Sequence, residues 1–177
     1  TFEFLSNVGT RSGWSPHGIR YNQPMTTSLT SLLEKSLAAR AALIDPSHES
    51  AFRLFNGFVE GCPDIVIDIY AATAVIHNYA DDPAQGAILV DEARQFLNAS
   101  LGWLQAGVVK TRNGATQYEK RGAFLFGTKA DRKIKEHGVW YAVNLTLTRG
   151  ARLYLDTRNL RKWAIENLKG KSVFNAF

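Results

Sequence analysis

Asp156, Arg158 and Arg161 fall within one short stretch of a 177-residue chain, in the run Gly150–Phe177 that reads GARLYLDTRNLRKWAIENLKGKSVFNAF. A carboxylate followed by two guanidiniums at helical spacing has two uses. Asp156 can cap a helix by accepting from its unpaired first N–H groups, with Arg158 and Arg161 solvated in the next turn and a half. Alternatively, the three can serve a ligand site. The residues after them bear on the choice: Leu160, Trp163, Ala164 and Leu168 recur at helical spacing, Gly170 ends the helix, and Ser172–Phe177 reads as a buried strand of a parallel sheet. Ligands of such sheets sit beyond the carboxyl ends of the strands, near the reversal into the next helix.

A second chemistry-bearing feature is a local excess of positive charge. Lys110, Arg112, Lys120, Arg121, Lys129, Arg132, Lys133 and Lys135 stand against Glu119 and Asp131 alone, so this segment is +6 while the rest of the chain is −1. Lysine and arginine neutralise phosphates, and Tyr118, Phe124 or Phe126 can stack on an unpaired base. On this reading Lys120, Arg121, Lys129, Arg132 and Lys133 form an RNA-facing surface. The competing reading is that the charges protect hairpin edges from pairing with other chains.

Other candidates carry less. Cys62 lies in the turn Glu60-Gly61-Cys62-Pro63-Asp64, with His48 and His77 distant in sequence, and reads as a turn residue rather than a nucleophile. The four histidines, His17, His48, His77 and His137, lack metal-ligand spacing, and a single Cys rules out a zinc pattern, so no metal site is expected. Glu60, Asp64 and Asp68 make a modest acidic group, with Asp64 in turn chemistry and Asp68 on the polar face of a strand. No phosphate-cradling Gly loop and no Ser-His-Asp arrangement is present.

The elements that must position these residues can be read from periodicity. Residues 1–25, with Gly9, Gly13, Pro16, Gly18 and Pro24, show no period and read as an irregular arm. A helix from Ser28 brings Leu29, Leu32, Leu33, Leu37 and Ile44 close to one face, with Ser31 and Glu34 as a capping box if it starts there, and ends by Pro46. Two strands flank the Glu60–Asp64 turn, and a third, Thr73–Tyr79, follows through Ala71-Ala72. Asp81-Asp82-Pro83 opens a helix running to about Trp103. Strands are then expected at Val108–Thr111 and Ala123–Phe126, in a hairpin of Arg132–Glu136 with Val139–Leu145 turning at His137-Gly138, and at Leu153–Leu155.

Composition sets the frame for these elements. With 45% hydrophobic and 21% charged residues, the chain suits one globular domain, or one domain and part of another. It has no run near 18 consecutive apolar residues and no signal-like N-terminus, so no membrane partner is expected. The lone Cys62 points to a reducing, cytoplasmic setting.

Three segments together, RLFNGFVEGCPDIVIDIY, KIKEHGVWYAVNL and RGARLYLDTRNLRKW with GKSVFNAF, resemble the class I S-adenosylmethionine-dependent RNA methyltransferases of the large-subunit ribosomal RNA cytosine-C5 type. The resemblance covers about Phe52–Phe177. Thr157 stands where the family often has Gln, and Leu160 where it often has Asn. The resemblance implies an α+β fold in which a central strand-strand-helix-strand-strand domain leads into the start of a Rossmann-like α/β methyltransferase domain. The divisions would be an N-terminal arm and helix at 1–45, an RNA-side domain at 46–148, and the opening of the methyltransferase domain at 149–177, cut at motif I.

The same resemblance implies S-adenosylmethionine as cofactor and ribosomal RNA as partner. A donor with a zwitterionic tail needs partners of both signs. Asp156, Arg158 and Arg161, with Asn175 and Phe177 in the motif I strand, are the implied cofactor-side residues. The family's nucleophilic Cys and ribose-holding acid would lie beyond Phe177, so no catalytic residue is expected within the chain. The alternative from another class is a non-catalytic RNA-binding or scaffolding module built on the basic region. Calorimetric titration of the 177-residue chain with S-adenosylmethionine is expected to show no measurable binding, because the turn and strands after motif I are not in it; micromolar binding would refute this.

Overall fold

The computed structural model describes residues 27–147, 150–151 and 153–172. Helix α1 (Leu29–Arg40) opens on Ser28, whose extended backbone lets its hydroxyl accept from the Ser31 N–H at 3.3 Å. The cap is therefore Ser28, and the Ser31–Glu34 box is not used. Leu29 and Leu33 are fully buried on the inner side of α1, and a single 3-10 turn, Ala41–Leu43, closes it before Pro46.

Strands β1 (Ala51–Phe55), β2 (Ile65–Tyr70) and β3 (Thr73–Asn78) form an antiparallel meander. The β2–β3 turn places Ala71 at φ 51°, as a tight hairpin twisting with its strands requires. Helix α2 (Pro83–Ser100) then crosses over: Asp82 caps it by accepting from Ala84 N–H at 2.9 Å, Pro83 fills its first position, and the chain returns as β4 (Ala106–Thr111), parallel to β3. After the short helix α3 (Gln117–Arg121), β5 (Ala123–Phe126) pairs antiparallel with β4, giving one mixed sheet in the order β1-β2-β3-β4-β5. The expected strand-strand-helix-strand-strand order is present as β2-β3-α2-β4-β5, with β1 added before it and α3 inserted between β4 and β5. Helix α3 was not expected, although Thr116 and Glu119 carry its signature: both halves of a capping box form there.

The sheet separates two cores. Alternation in β2 sends Ile65, Ile67 and Ile69 toward α1 and α2, where they meet Leu29, Leu33, Phe55, Ile76 and Leu97. Each such side chain contributes roughly 2 kcal/mol through burial. On the opposite face Ala51, Tyr70, Ala71 and Val75 pack against Ile134, Val143 and Leu145. Those residues come from the hairpin of β6 (Lys133–Glu136) and β7 (Val139–Ala142), and from the chain after it. The hairpin turns at His137 (φ 50°) and Gly138 (φ 80°) where expected, but β7 ends three residues earlier than its apolar run.

After Gly150 the outcome differs from the sequence-based expectation. Leu153–Leu155 forms no strand; Leu155–Thr157 is a 3-10 turn, and α4 (Arg158–Asn167) begins with Thr157 at the cap position and no side-chain cap. Asp156 sits inside the turn and does not cap. Leu160 and Trp163, counted toward an apolar face, are 61% and 52% exposed. The expected strand over Ser172–Phe177, with Asn175 and Phe177, lies outside the described residues apart from Ser172.

Gly86, in the first turns of α2, lies close against the sheet: a Cβ there would stand 2.0 Å from Asn78 Oδ1. Asn78 is 2% exposed, and its side chain bonds Pro83 O and Ala80 N–H. Gly86→Ala is therefore expected to lower stability by about 1–3 kcal/mol in urea unfolding, although alanine is the better helix former by about 1 kcal/mol. An unchanged or raised midpoint would contradict this packing.

Candidate functional site

Arg158 and Arg161 converge on Glu136, the last residue of β6, whose side chain is fully enclosed. Arg161 donates from Nε and Nη2 to the two carboxylate oxygens, at 2.5 and 3.1 Å, and its Nη1 bonds Tyr154 O and Thr157 Oγ1, both at 2.7 Å. Arg158 places Nε 3.6 Å from the same carboxylate and donates from Nη1 to Ala51 O at 3.1 Å. Arg161 also lies over the Tyr141 ring at 5.7 Å. The arginines thus fasten the start of α4 to the hairpin and to edge strand β1. Asp156 is exposed and accepts no hydrogen bond among the described residues.

The basic segment divides among separate locations. Lys129 and Arg132, both exposed, line a cleft of about 470 Å³ with Phe124 on one wall and residues 143–147 on the other. Lys120 and Arg121 close α3 beside it: a Cβ on the next residue, Gly122, would meet Leu145 O at 3.0 Å, so the end of α3 abuts that second wall. Lys133 lies over the half-exposed Trp140 ring, 4.2 Å from its centroid, with Lys135 at 5.6 Å. Lys110 contributes nothing to the surface charge: it is 4% exposed, and burial pushes its ammonium down to about 8. Tyr118 is open to solvent, whereas the ring of Phe126 would meet a Cβ on Gly107 at 2.2 Å and so packs on β4.

A third constellation escaped sequence reasoning. Arg53 on β1 donates to Asp68 on β2 through Nε and Nη2 at 2.8 and 3.2 Å, and His77 Nε2 on β3 stands 3.4 Å from Asp68 Oδ2. Burial alone would push the Asp68 carboxyl up, but hydrogen bonds from His77 and Arg53 outweigh it and hold the group below the usual carboxylate range. The signal was in the strands: a charge amid IVIDIY, with Arg53 directly across in register. Taken strand by strand, Asp68 reads only as a solvated polar position.

Cys62 is 2% exposed, and desolvation pushes its thiol up to about 11, the opposite of an activated nucleophile. No group of three metal-ligating side chains occurs among the described residues, and no described helix is long and apolar enough to cross a membrane.

No family model matches the chain. Among curated proteins, it is 30% identical to the "Putative ribosomal RNA large subunit methyltransferase YwbD" of Bacillus subtilis, over 98% of this chain and 43% of that protein. It is 33% identical to the ribosomal RNA large subunit methyltransferase K/L of Colwellia psychrerythraea, over 72% of this chain and 18% of the relative. By sequence, the chain is similar to large-subunit ribosomal RNA methyltransferases. It spans less than half the length of these relatives. Among solved structures, a "putative SAM-dependent methyltransferase" from Streptococcus mutans superposes with a TM-score of 0.65 at 22% identity, over 81% of this chain and 38% of that one, which supports the α+β fold.

Because Glu136 is wholly enclosed, removing its bidentate partner leaves a buried charge half-paired. Arg161→Ala is expected to cost about 3 kcal/mol in urea unfolding, and Arg158→Ala clearly less, since Arg158 is looser and more solvated. Equal effects below about 1 kcal/mol would show that this contact does not hold α4 in place.

Proposed function

We propose that this chain is the substrate-side portion of an S-adenosylmethionine-dependent methyltransferase that modifies large-subunit ribosomal RNA, of the cytosine-C5 type, in the cytoplasm. The observation that carries the reading is similarity over nearly the whole chain to a ribosomal RNA methyltransferase of Bacillus subtilis. The resemblance to S-adenosylmethionine-dependent enzymes in the motif order of Phe52–Phe177, and the S. mutans structure, support the same donor. Residues 46–148 form the RNA side, and 149–177 open the donor domain.

The described residues fit such a donor in part. S-adenosylmethionine supplies, when bound, a methyl carbon on a cationic sulfur beside an amino-acid tail. Asp156 is an exposed carboxylate without a hydrogen-bond partner among the described residues, suited to a cationic group. Arg158 and Arg161 are committed to Glu136, so their contribution is to fix the position of Asp156 and of the start of α4. Transfer between held reactants depends on alignment, and a helix start anchored to a buried carboxylate provides a rigid base for it.

RNA would meet the basic surface at the cleft of Lys129 and Arg132, continued by Lys120 and Arg121 on α3 and by Lys133 on the hairpin. Removing one cation that meets a phosphate lowers the log–log salt slope by about 0.7–0.9. In filter binding to ribosomal RNA fragments, replacing Arg121, Arg132 and Lys133 together by Ala is expected to weaken binding and flatten the slope by about 2. Unchanged affinity across salt concentrations would sink the RNA surface. For the intact protein, transfer of labelled methyl from S-adenosylmethionine to 23S-type ribosomal RNA, and not to protein, tests the activity itself.

A further inference from the structure

The helix-free face of the sheet is only half covered by the hairpin. Over β2 and β3 it is open as a cleft of about 450 Å³, whose sheet wall presents Arg53, Asp68, His77 and Tyr79 and whose other wall, the chain after Gly150, presents Tyr154 and Asp156. That volume lies within the range of roughly 300–1,000 Å³ typical of small-ligand sites. We infer that this cleft binds a single unpaired RNA base, apart from the basic surface that meets the phosphates; the inference deepens the proposed RNA-binding function and rests on it.

Three observations point to a flat, hydrogen-bonding occupant. Tyr79 is 40% exposed and lies parallel to His77, with centroids 5.7 Å apart and planes 6° apart, and both rings line the cleft. Tyr154, 77% exposed, brings a second aromatic from a separate segment. Unpaired bases are held by such rings, because every base has a π-face. The polar floor supplies the edge. Asp68 orients Arg53 through Nε and Nη2, leaving Nη1 directed to no acceptor among the described residues and able to donate to a base carbonyl.

Tyr70 adds a hydroxyl to the same cleft. The residue is 3% exposed and lines the cleft beside Arg53 and Asp68. A phenol there can donate to or accept from the edge of a base. The charges in the cleft offset one another: Arg53 is paired with Asp68, and Asp156 is at the rim. A phosphate is therefore poorly served here, whereas a neutral base with carbonyl and amino edges meets both donors and acceptors. Asp156 also marks where the cleft borders the proposed donor side.

The test is photo-crosslinking of the 177-residue chain to single-stranded RNA of roughly ten nucleotides carrying one 4-thiouridine, with sites mapped by mass spectrometry. Affinities of Tyr79→Ala and Tyr154→Ala are measured alongside, with circular dichroism to confirm folding and Tyr→Phe at both positions as the conservative variants. Expected are crosslinks on Tyr79 or Tyr154, a loss of roughly five- to a hundredfold in affinity for at least one Ala variant, an unchanged salt slope, and recovery with Phe. Crosslinks confined to the Lys129–Arg132 cleft, with both Ala variants binding as wild type, overturn this inference and leave the RNA surface standing. Absence of any RNA binding by the wild-type chain overturns both.

Discussion

The enclosed carboxylate of Glu136 is the constraint on which the arrangement of the C-terminal third depends. A carboxylate with no solvent contact loses several kcal/mol of hydration, and only close cations with good geometry restore it. Arg161 meets it with a two-point fork, and Arg158 adds a looser contact while bonding Ala51 O on edge strand β1. One buried group therefore joins the hairpin, the sheet edge and the start of α4. Lysine would not substitute, because one ammonium cannot span both carboxylate oxygens and also reach Tyr154 O and Thr157 Oγ1.

The mixed sheet divides its two faces between stability and chemistry. Its helix-side face is largely apolar, with Ile65, Ile67, Ile69 and Ile76 fully buried under α1 and α2, and it includes the polar Asn78 against Gly86 of α2. The other face packs apolar residues under the hairpin and under Val143, Leu145, Ala151, Leu153 and Leu155; beyond that it carries Arg53, Asp68 and His77. Asp68 is itself buried against Arg53 and His77, as Glu136 is against Arg161 and Arg158, so these carboxylates sit where cationic or hydrogen-bonding partners reach them. Function in such a fold is expected on that side, and both the basic cleft and the aromatic cleft open on the side away from α1 and α2.

The helix-side core was legible because its signals are local. Period-2 alternation in IVIDIY, the Glu60–Asp64 turn, the Asp82-Pro83 start of α2 and the His137-Gly138 hairpin are each decided by neighbours in sequence. Helix α3 could have been found from Thr116 and Glu119, whose reciprocal capping is equally local. The site was less legible. Asp68 and Arg53 are fifteen positions apart, and only strand register sets them face to face; Glu136 and Arg161 are twenty-five apart and meet only when the hairpin folds back.

What the sequence by itself determined was the order of elements, their caps and turns, the local concentration of positive charge and a resemblance to RNA methyltransferases. Backbone propensity, side-chain periodicity and composition act over a few residues and need no knowledge of the fold. Only the tertiary structure decided that Arg158 and Arg161 anchor a helix against a buried acid, that Asp156 lies in a turn and not at a cap, that Lys110 is buried among the sheet strands, and that a polar aromatic cleft opens over β2 and β3. Those outcomes depend on which distant groups must share a desolvated space, and the cost of leaving a buried charge unpaired is settled only when the whole chain has packed.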